Sequence, residues 1–506
     1  MQIRSENVRG NTLAPIIVDT GLGRVSGTDG AVRRFLGLRY AQPPAAETRW
    51  RAPTPVAPWT GVLPADQFGD DFPQAADPLL RAVAQSEDCL RLNIWAPAEP
   101  PAGGAPVLVW FHGGGFTRGS GSDLRCDGEA FARQGILVVT FNYRSGLFGF
   151  FAHPALSAES PEGISGNYGL LDQMAALRWV REHIAAFGGA PDRITVAGVS
   201  AGSASIALLL TIPRATGLFD QAILHSPGSC RPLGKLADAE QAGLVLGADI
   251  HALRSLSAKE LLGLTSRMVP KMRSLTGARL LRPIRDGVLV PGDELPALEA
   301  RRFMRVPLIV GTNEDEGSKL TRDWTVDSLD AYHRLLQENF GPAAEEAMAC
   351  YPASNDAQVR ARVAELFADT QFNYGAWRLA LAMAPERPTY RYVFRRRAAG
   401  APDGPHHGDE VPYAFDTLAR MPEAAKVFDE GDQRTADAMH GAWVRFIKTG
   451  DVNGAGLPPW PVYDPAHGEH MTFDDPPMAG RHWRAGAIGF IDRVQSQRYR
   501  TEGGHE

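Results

Sequence analysis

Short apolar runs bounded by glycine and proline constrain this chain more than any other feature. Val107 to Phe111 and Ile136 to Phe141 are close to uninterrupted apolar stretches of strand length, the pattern of strands buried on both faces of a parallel sheet. Arg193 to Ala197 reads as a third, and further strands are expected around Ala222 to Leu224, Pro307 to Val310 and Thr389 to Phe394. Helical patterns separate them. Leu170, Leu171, Met174, Leu177, Ile184 and Phe187 recur at helical steps and give one apolar face from Leu170 to Phe187. A second helix is expected from about Ser200 to Leu210, stopped near Pro213. Strand, helix, strand in alternation implies an α/β fold with a mostly parallel central sheet and helices on both faces. The expectation is one domain over residues 1–506, with less patterned excursions at about 60–85 and 235–300.

Charge narrows the partners. With 52 basic and 58 acidic side chains the net charge is -6, so there is no basic field to gather a polyanion, and no nucleic-acid partner is expected. No apolar run approaches the roughly 20 residues that a membrane-spanning helix needs, so no membrane span is expected. Four scattered cysteines, Cys89, Cys126, Cys230 and Cys350, suit neither a disulfide scaffold nor a Cys-x-x-Cys metal site. No metal or organic cofactor is expected, and spacing says nothing about oligomeric state.

Two motifs carry chemistry. Gly198-Val199-Ser200-Ala201-Gly202 is a Gly-x-Ser-x-Gly directly after one predicted strand and before a predicted helix. A serine hydroxyl becomes a useful nucleophile when a sharp strand-to-helix turn lifts it out beside a base, and the flanking glycines leave room for that turn. The turn also puts the Ala201 amide at a helix N-terminus, where an oxyanion is favoured. Upstream, His112-Gly113-Gly114-Gly115-Phe116 follows the strand ending at Phe111. Consecutive glycines cost backbone entropy but let main-chain amides approach a ligand closely, as a tetrahedral oxyanion requires.

Together with further stretches, these motifs resemble the type-B carboxylesterase and cholinesterase family of the α/β-hydrolase superfamily, in its bacterial para-nitrobenzyl-esterase-like branch. The matching stretches are Ser86 to Pro97 (SEDCLRLNIWAP), His112 to Phe116, Asn142 to Arg144, Gly166 to Gln173 (GNYGLLDQ), Phe187 to Gly202 (FGGAPDRITVAGVSAG), Gly311 to Ser318 (GTNEDEGS), His407 to Phe415 (HGDEVPYAF) and Trp443 to Asn453 (WVRFIKTGDVN). They span nearly the whole chain. The resemblance implies an α/β-hydrolase fold, with the excursions lying over the active site.

It also implies roles. Ser200 would be the nucleophile, Glu316 the acid and His407 the general base, with an oxyanion hole from the amides of Gly114, Gly115 and Ala201. The residues alone do not choose among Glu314, Asp315 and Glu316. His406 competes with His407, and the Gly-Asp-Glu that follows selects the second. Ser226 resembles a serine that supports the acid, although Pro227 stands next to it here. Glu87 and Arg144, with Arg49, map to a buried ionic cluster read as structural.

Two departures are informative. Cys89 usually has a disulfide partner in the family, but Phe72-Pro73-Gln74 stands where it is expected, so Cys89 should be a free thiol. The residue before the nucleophile is often Glu and is here Val199. This removes a charge that would cost an anionic substrate about 3 kcal/mol at about 5 Å in an effective dielectric of about 20. Arg118, and also Arg125, follow the glycine loop and could face the entrance. Val199, Arg118 and Phe116 are thus expected to line the substrate site.

The resulting expectation is a serine carboxylic-ester hydrolase acting through an acyl-enzyme, its partners a small-molecule ester and water. It includes tolerance of anionic esters, such as tricarballylate esters of the fumonisin type. Two alternatives stay open, an amide or carbamate hydrolase of the same fold and a binding protein on a hydrolase scaffold. Met1 to Gly10 lacks the apolar stretch of a secretory signal. A cytoplasmic bacterial protein is expected, or a secreted or periplasmic one if a signal peptide preceded residue 1.

Overall fold

The computed structural model describes residues 15–502 except 45, 78–79, 82, 270–273 and 455, so the segment Met1 to Gly10 lies outside the described residues. The apolar runs form the centre of the molecule. In chain order the strands are β1 (Pro15–Asp19), β2 (Arg24–Thr28), β3 (Val32–Arg39), β4 (Val62–Pro64), β5 (Arg91–Pro97), β6 (Ala105–Phe111), β7 (Leu137–Phe141), β8 (Gly189–Val199) and β9 (Gln221–His225). They continue with β10 (Gly234–Lys235), β11 (Ile284–Arg285), β12 (Leu308–Asn313), β13 (Thr389–Phe394), β14 (Glu469–Phe473) and β15 (Met478–Arg481).

A 13-stranded sheet runs β1-β2-β3-β5-β7-β6-β8-β9-β12-β13-β14-β15, with β4 paired to β2. From β7 to β14 the pairing is parallel, and antiparallel ribbons close both edges. Every residue of β6, β7, β12 and β13 is buried, as strands covered on both faces must be. The two-residue period of β6 divides its side chains between two cores. Val107, Val109 and Phe111 pack in a layer with Leu170, Leu177, Ile206 and Leu209, whereas Leu108 and Trp110 pack in a layer with Trp443 and Phe446. The helices Tyr168–His183 and Ala201–Leu209 thereby cover one face, and Glu430–Thr449 covers the other.

Boundaries moved where local chemistry decides them. The helix expected from Leu170 to Phe187 is α-helical over Tyr168–His183 and tightens to 3₁₀ over Ile184–Phe187, ending on left-handed Gly188. The strand expected at Arg193 to Ala197 extends over Gly189–Val199 because β6 and β9 pair with it on both sides.

The excursions differ in kind. Residues 235–300 carry the helices Leu236–Gly243, Ile250–Ser255, Ala258–Gly263 and Glu294–Glu299, with a small core that includes Trp50, Phe148 and Phe151. In the other excursion Asp71, Phe72 and Gln74 are buried, although proline and glycine there suggest a surface loop. Among the described residues no helix is long and apolar enough to cross a membrane.

Candidate active site

Parallel strands deliver their following loops to one edge of the sheet, and the predicted site residues gather there, beyond the C-terminal ends of β6, β8, β9, β12 and β13. Ser200 sits between β8 and the helix Ala201–Leu209, with φ 56° and ψ -116°. A non-glycine residue held at such angles costs of order 1–3 kcal/mol, which the surroundings must supply. They do so through the Ser200 amide, which donates to His225 O at 2.9 Å, and through the Ser200 carbonyl, which accepts from Ala204 N at 2.8 Å. The flanking glycines are obligatory. A Cβ on Gly202 would lie 2.1 Å from Phe111 O, and one on Gly198 would lie 2.9 Å from both Phe111 O and Gly202 C.

The glycine loop crosses directly over this turn. A Cβ on Gly113 would meet Val199 O at 2.9 Å and Ser200 Cβ at 3.2 Å. Gly114 (φ 115°), Gly115 (φ 64°) and Phe116 (φ 64°) follow with positive φ, and Gly114 O accepts from the amides of Thr117 and Arg118, both at 3.1 Å. Phe116 is an aromatic residue in a conformation that favours glycine. Its carbonyl accepts from Gly146 N, and its ring packs edge-on against Phe150, 5.1 Å between centroids. Beneath the loop, the His112 ring donates from Nδ1 to Gly113 O (2.9 Å) and stacks on Tyr143 at 4.1 Å. Burial pushes its pKa down to about 4, so it is neutral near pH 7.

The buried part of the 60–85 excursion buttresses the same loop. Gln74 clamps Gly119 reciprocally, donating to its carbonyl at 2.8 Å and accepting from its amide at 2.7 Å. The Asp71 carboxylate accepts from Ser120 Oγ and, at 3.3 Å, from Asn142 Nδ2.

Glu316 is fully buried just after β12. It accepts from Asn313 N (2.7 Å), from Ser226 Oγ and from His407 Nδ1. Pro227 therefore does not disturb the Ser226 contact: Ser226 takes φ 51°, which aims its hydroxyl at the acid. The neighbours of Glu316 do other work, Glu314 pairing with Arg395 at 2.8 Å and Asp315 capping Ser318. His407 stacks on Phe372, 4.3 Å between centroids, and its Nε2 is buried with no hydrogen-bond partner among the described residues. His406 instead lies near Asp403, Asp409 and Asp315, which raise its pKa with the Asp409 hydrogen bond foremost.

The expected ionic cluster is two separate pairs. Arg49 bonds Glu87 and reaches across to Arg254 O (3.1 Å) and Leu256 O (2.9 Å), fixing the 235–300 excursion. Arg144 forks onto Asp172 of the helix Tyr168–His183 at 2.8 and 2.7 Å. Each guanidinium takes the carboxylate nearest in the fold, which spacing does not reveal. Cys89 is a buried free thiol. Val199 is buried, with Cγ1 close to Gly113. Arg125 turns onto Asp123 at 2.7 Å, and Arg118 is exposed beside Asp77 at 3.8 Å.

Several groups escaped sequence reasoning. Phe372 belongs to a π-helical turn, Asp369–Asn373, a feature that often marks functional sites. Glu410 bonds Asn313, whose Nδ2 also holds His406 O at 2.6 Å and so fixes the His407 loop. Glu410 lies 3.4 Å from His225 Nδ1, while Trp443 Nε1 donates to His225 Nε2 at 3.1 Å. Because an indole only donates, the His225 proton is on Nδ1. The Glu of His-Gly-x-Glu was the available signal for Glu410; nothing comparable marked Phe372.

Two cavities flank the helix that begins at Ala201. One, of about 1380 Å³, lies at its far end, lined by Leu210, Thr211, Asp220, Pro307 and Arg387. It opens at the N-terminal ends of β9, β12 and β13, away from Ser200. The other is a narrow cleft of about 20 Å³ beside the site, lined by Phe116, Ala204 and Gly228 and by Arg231, Arg279 and Arg282.

A family model described as the carboxylesterase family matches residues 14–491. The fumonisin B1 esterase of Sphingopyxis macrogoltabida is 43% identical over 468 residues, covering 90% of this chain and 86% of that one. The para-nitrobenzyl esterase of Bacillus subtilis (strain 168) is 36% identical over 480 residues, covering 90% and 94%. Among solved structures, a thermophilic PNB esterase superposes with a TM-score of 0.83 at 34% identity, covering 94% of this chain and 99% of that one.

Proposed function

The chain belongs to the carboxylesterase family, and from that membership we propose that it hydrolyses carboxylic esters through a covalent acyl-enzyme built on Ser200, His407 and Glu316. One conjunction carries the reading. A strained serine lies under a glycine loop at a helix N-terminus, and a partly buried imidazole paired with a buried carboxylate stands on the loops after neighbouring strands. The same reading takes the chain as one domain, which the unbroken sheet supports.

The chemistry follows from proton positions. Ser200 Oγ attacks the ester carbonyl carbon while its proton passes to His407 Nε2, and the carbonyl π pair becomes an oxyanion. The amides of Gly114, Gly115 and Ala201 receive that charge, each such donor being worth about 3 kcal/mol of barrier. Collapse re-forms the carbonyl and breaks the C–O bond to the alcohol, which leaves with the Nε2 proton. A water then attacks the acyl carbon, giving a proton to Nε2, and Ser200 departs with that proton, freeing the acid. Glu316 keeps the Nδ1–H tautomer and stabilises the imidazolium without taking the proton. Ser226, Glu87 and Arg144 act by holding acid and loops in place.

For the substrate we favour esters that carry a further carboxylate. Val199 brings no negative charge to the site, and the relative at 43% identity is named for fumonisin B1. Arg118, exposed beside Asp77, would contribute long-range attraction at the entrance.

A fluorophosphonate probe tests the core of the reading. One label per chain, on Ser200, is expected, with labelling and ester turnover both lost in Ser200→Ala. A folded wild-type protein that takes no label would refute it.

A further inference from the structure

We propose that Arg231, Arg279 and Arg282 form a carboxylate-binding subsite beside Ser200, which recognises a free carboxylate of the ester substrate. This rests on the ester-hydrolase reading and goes further by naming the groups that would choose the substrate.

The cleft adjoins the site through residues next to its working groups. Ala204 lies one helical turn beyond Ser200, so its Cα is about 6 Å away, and it lines the cleft together with Phe116, the residue that continues the glycine loop. Gly228 lines it too, and a Cβ there would stand 3.8 Å from Phe372, the ring stacked on His407. A ligand group in this cleft therefore neighbours the nucleophile, the oxyanion loop and the base.

Its polar wall is cationic. The Arg282 guanidinium lies 5.2 Å above the Phe116 ring, an attraction that holds the charge next to the glycine loop. Arg231 is buried; it bonds Gln371 and donates to Ser274 O (3.2 Å) and Gly277 O (3.0 Å). Gln371 and Phe372 are adjacent in the π-helical turn, so one turn seats both Arg231 and the base. Arg279 donates to the same Ser274 O at 2.7 Å. A guanidinium fork matches a carboxylate geometrically, and its five donors allow a structural anchor and a ligand together.

Glu294 shares the wall, with its carboxylate accepting from Cys230 N at 2.6 Å. Burial pushes its pKa up to about 8, so near neutrality it is largely protonated and does little to cancel the arginine charge. The cleft has room for about one water. A carboxylate would enter by displacing the half-buried Arg279 and Arg282 side chains on their flexible stems.

The test compares mono-p-nitrophenyl glutarate with p-nitrophenyl butyrate, and 4-acetoxybenzoate with phenyl acetate. These pairs place the carboxylate on the acyl and alcohol sides respectively. The readout is the ratio of kcat/KM, charged over neutral, in which any general loss cancels. For Arg282→Gln and Arg279→Gln this ratio should fall about tenfold in one pair, with partial recovery in Arg282→Lys. The pair that responds assigns the side. Arg231→Gln is a poor probe because it also removes bonds that hold the loop. Calorimetric titration of glutarate into Ser200→Ala reads the subsite without turnover, and the heat should vanish in the double variant with Arg282→Gln. Ratios within twofold of wild type in both pairs, or glutarate binding indifferent to Arg282, would overturn the proposal while leaving the labelling result for Ser200 intact.

Discussion

At residue scale the site is a set of conformations that only particular side chains tolerate. Ser200 and Phe116 occupy positive φ without being glycine, and their strain is offset by hydrogen bonds and packing around them. Gly114 is the reverse case. At φ 115° a Cβ would fall 1.9 Å from Arg118 O, a backbone atom that cannot step aside. Gly114→Ala should therefore lose 100-fold or more in kcat, about the effect of removing one oxyanion donor. Kinetics normalised by active-site titration, with circular dichroism as a fold check, would measure this. Legibility at this scale was uneven. Gly-x-Ser-x-Gly and the triple glycine were readable because steric need maps one-to-one onto residue type. The choice of His407 over His406, and of Glu316 over its neighbours, needed a family pattern, since adjacent residues of like chemistry differ only in where the backbone aims them.

At the scale of elements, loops after strands are positioned by buried polar ties more than by their own propensity. Arg144 is almost wholly buried and donates from Nε and Nη2 to Asp172, joining the loop after β7 to the helix Tyr168–His183. Breaking one partner of such a pair strands the other, so Arg144→Met should destabilise the fold by about 3–5 kcal/mol. Urea unfolding monitored by tryptophan fluorescence gives the measurement, and a loss under 1 kcal/mol would mean that water reaches the pair. The Asp71 and Gln74 contacts show why a proline-rich stretch can be misjudged. Composition reports that a segment is irregular, whereas its burial follows from what lies beneath it, here the glycine loop. The π-helical turn of Phe372 and the arginine wall were silent in sequence because their partners come from segments far apart in the chain.

At the scale of the whole molecule, pH acts through groups that burial has moved. Glu294 has a folded pKa of about 8 against an ordinary 4.5. Between those values the unfolded chain has released a proton that the folded protein retains, so folding takes up a proton and rising pH opposes it. Glu294→Gln should therefore melt above wild type at pH 9, and the gap should close by pH 4. Calorimetry at the two pH values would show it, and an equal gap at both would remove the carboxyl as the cause.

By itself the chain determined the α/β alternation, the positions along the chain of the strands that carry the site, the elbow around Ser200 and the glycine loop. Each is local, written in the period of apolar residues or in the room that a turn requires. Only the tertiary structure decided which carboxylate meets which guanidinium, that Ser226 reaches Glu316 despite Pro227, and that three arginines line one cleft with Ala204 and Phe116. Those facts depend on distances between segments that chain entropy leaves unconstrained until the sheet brings their ends together.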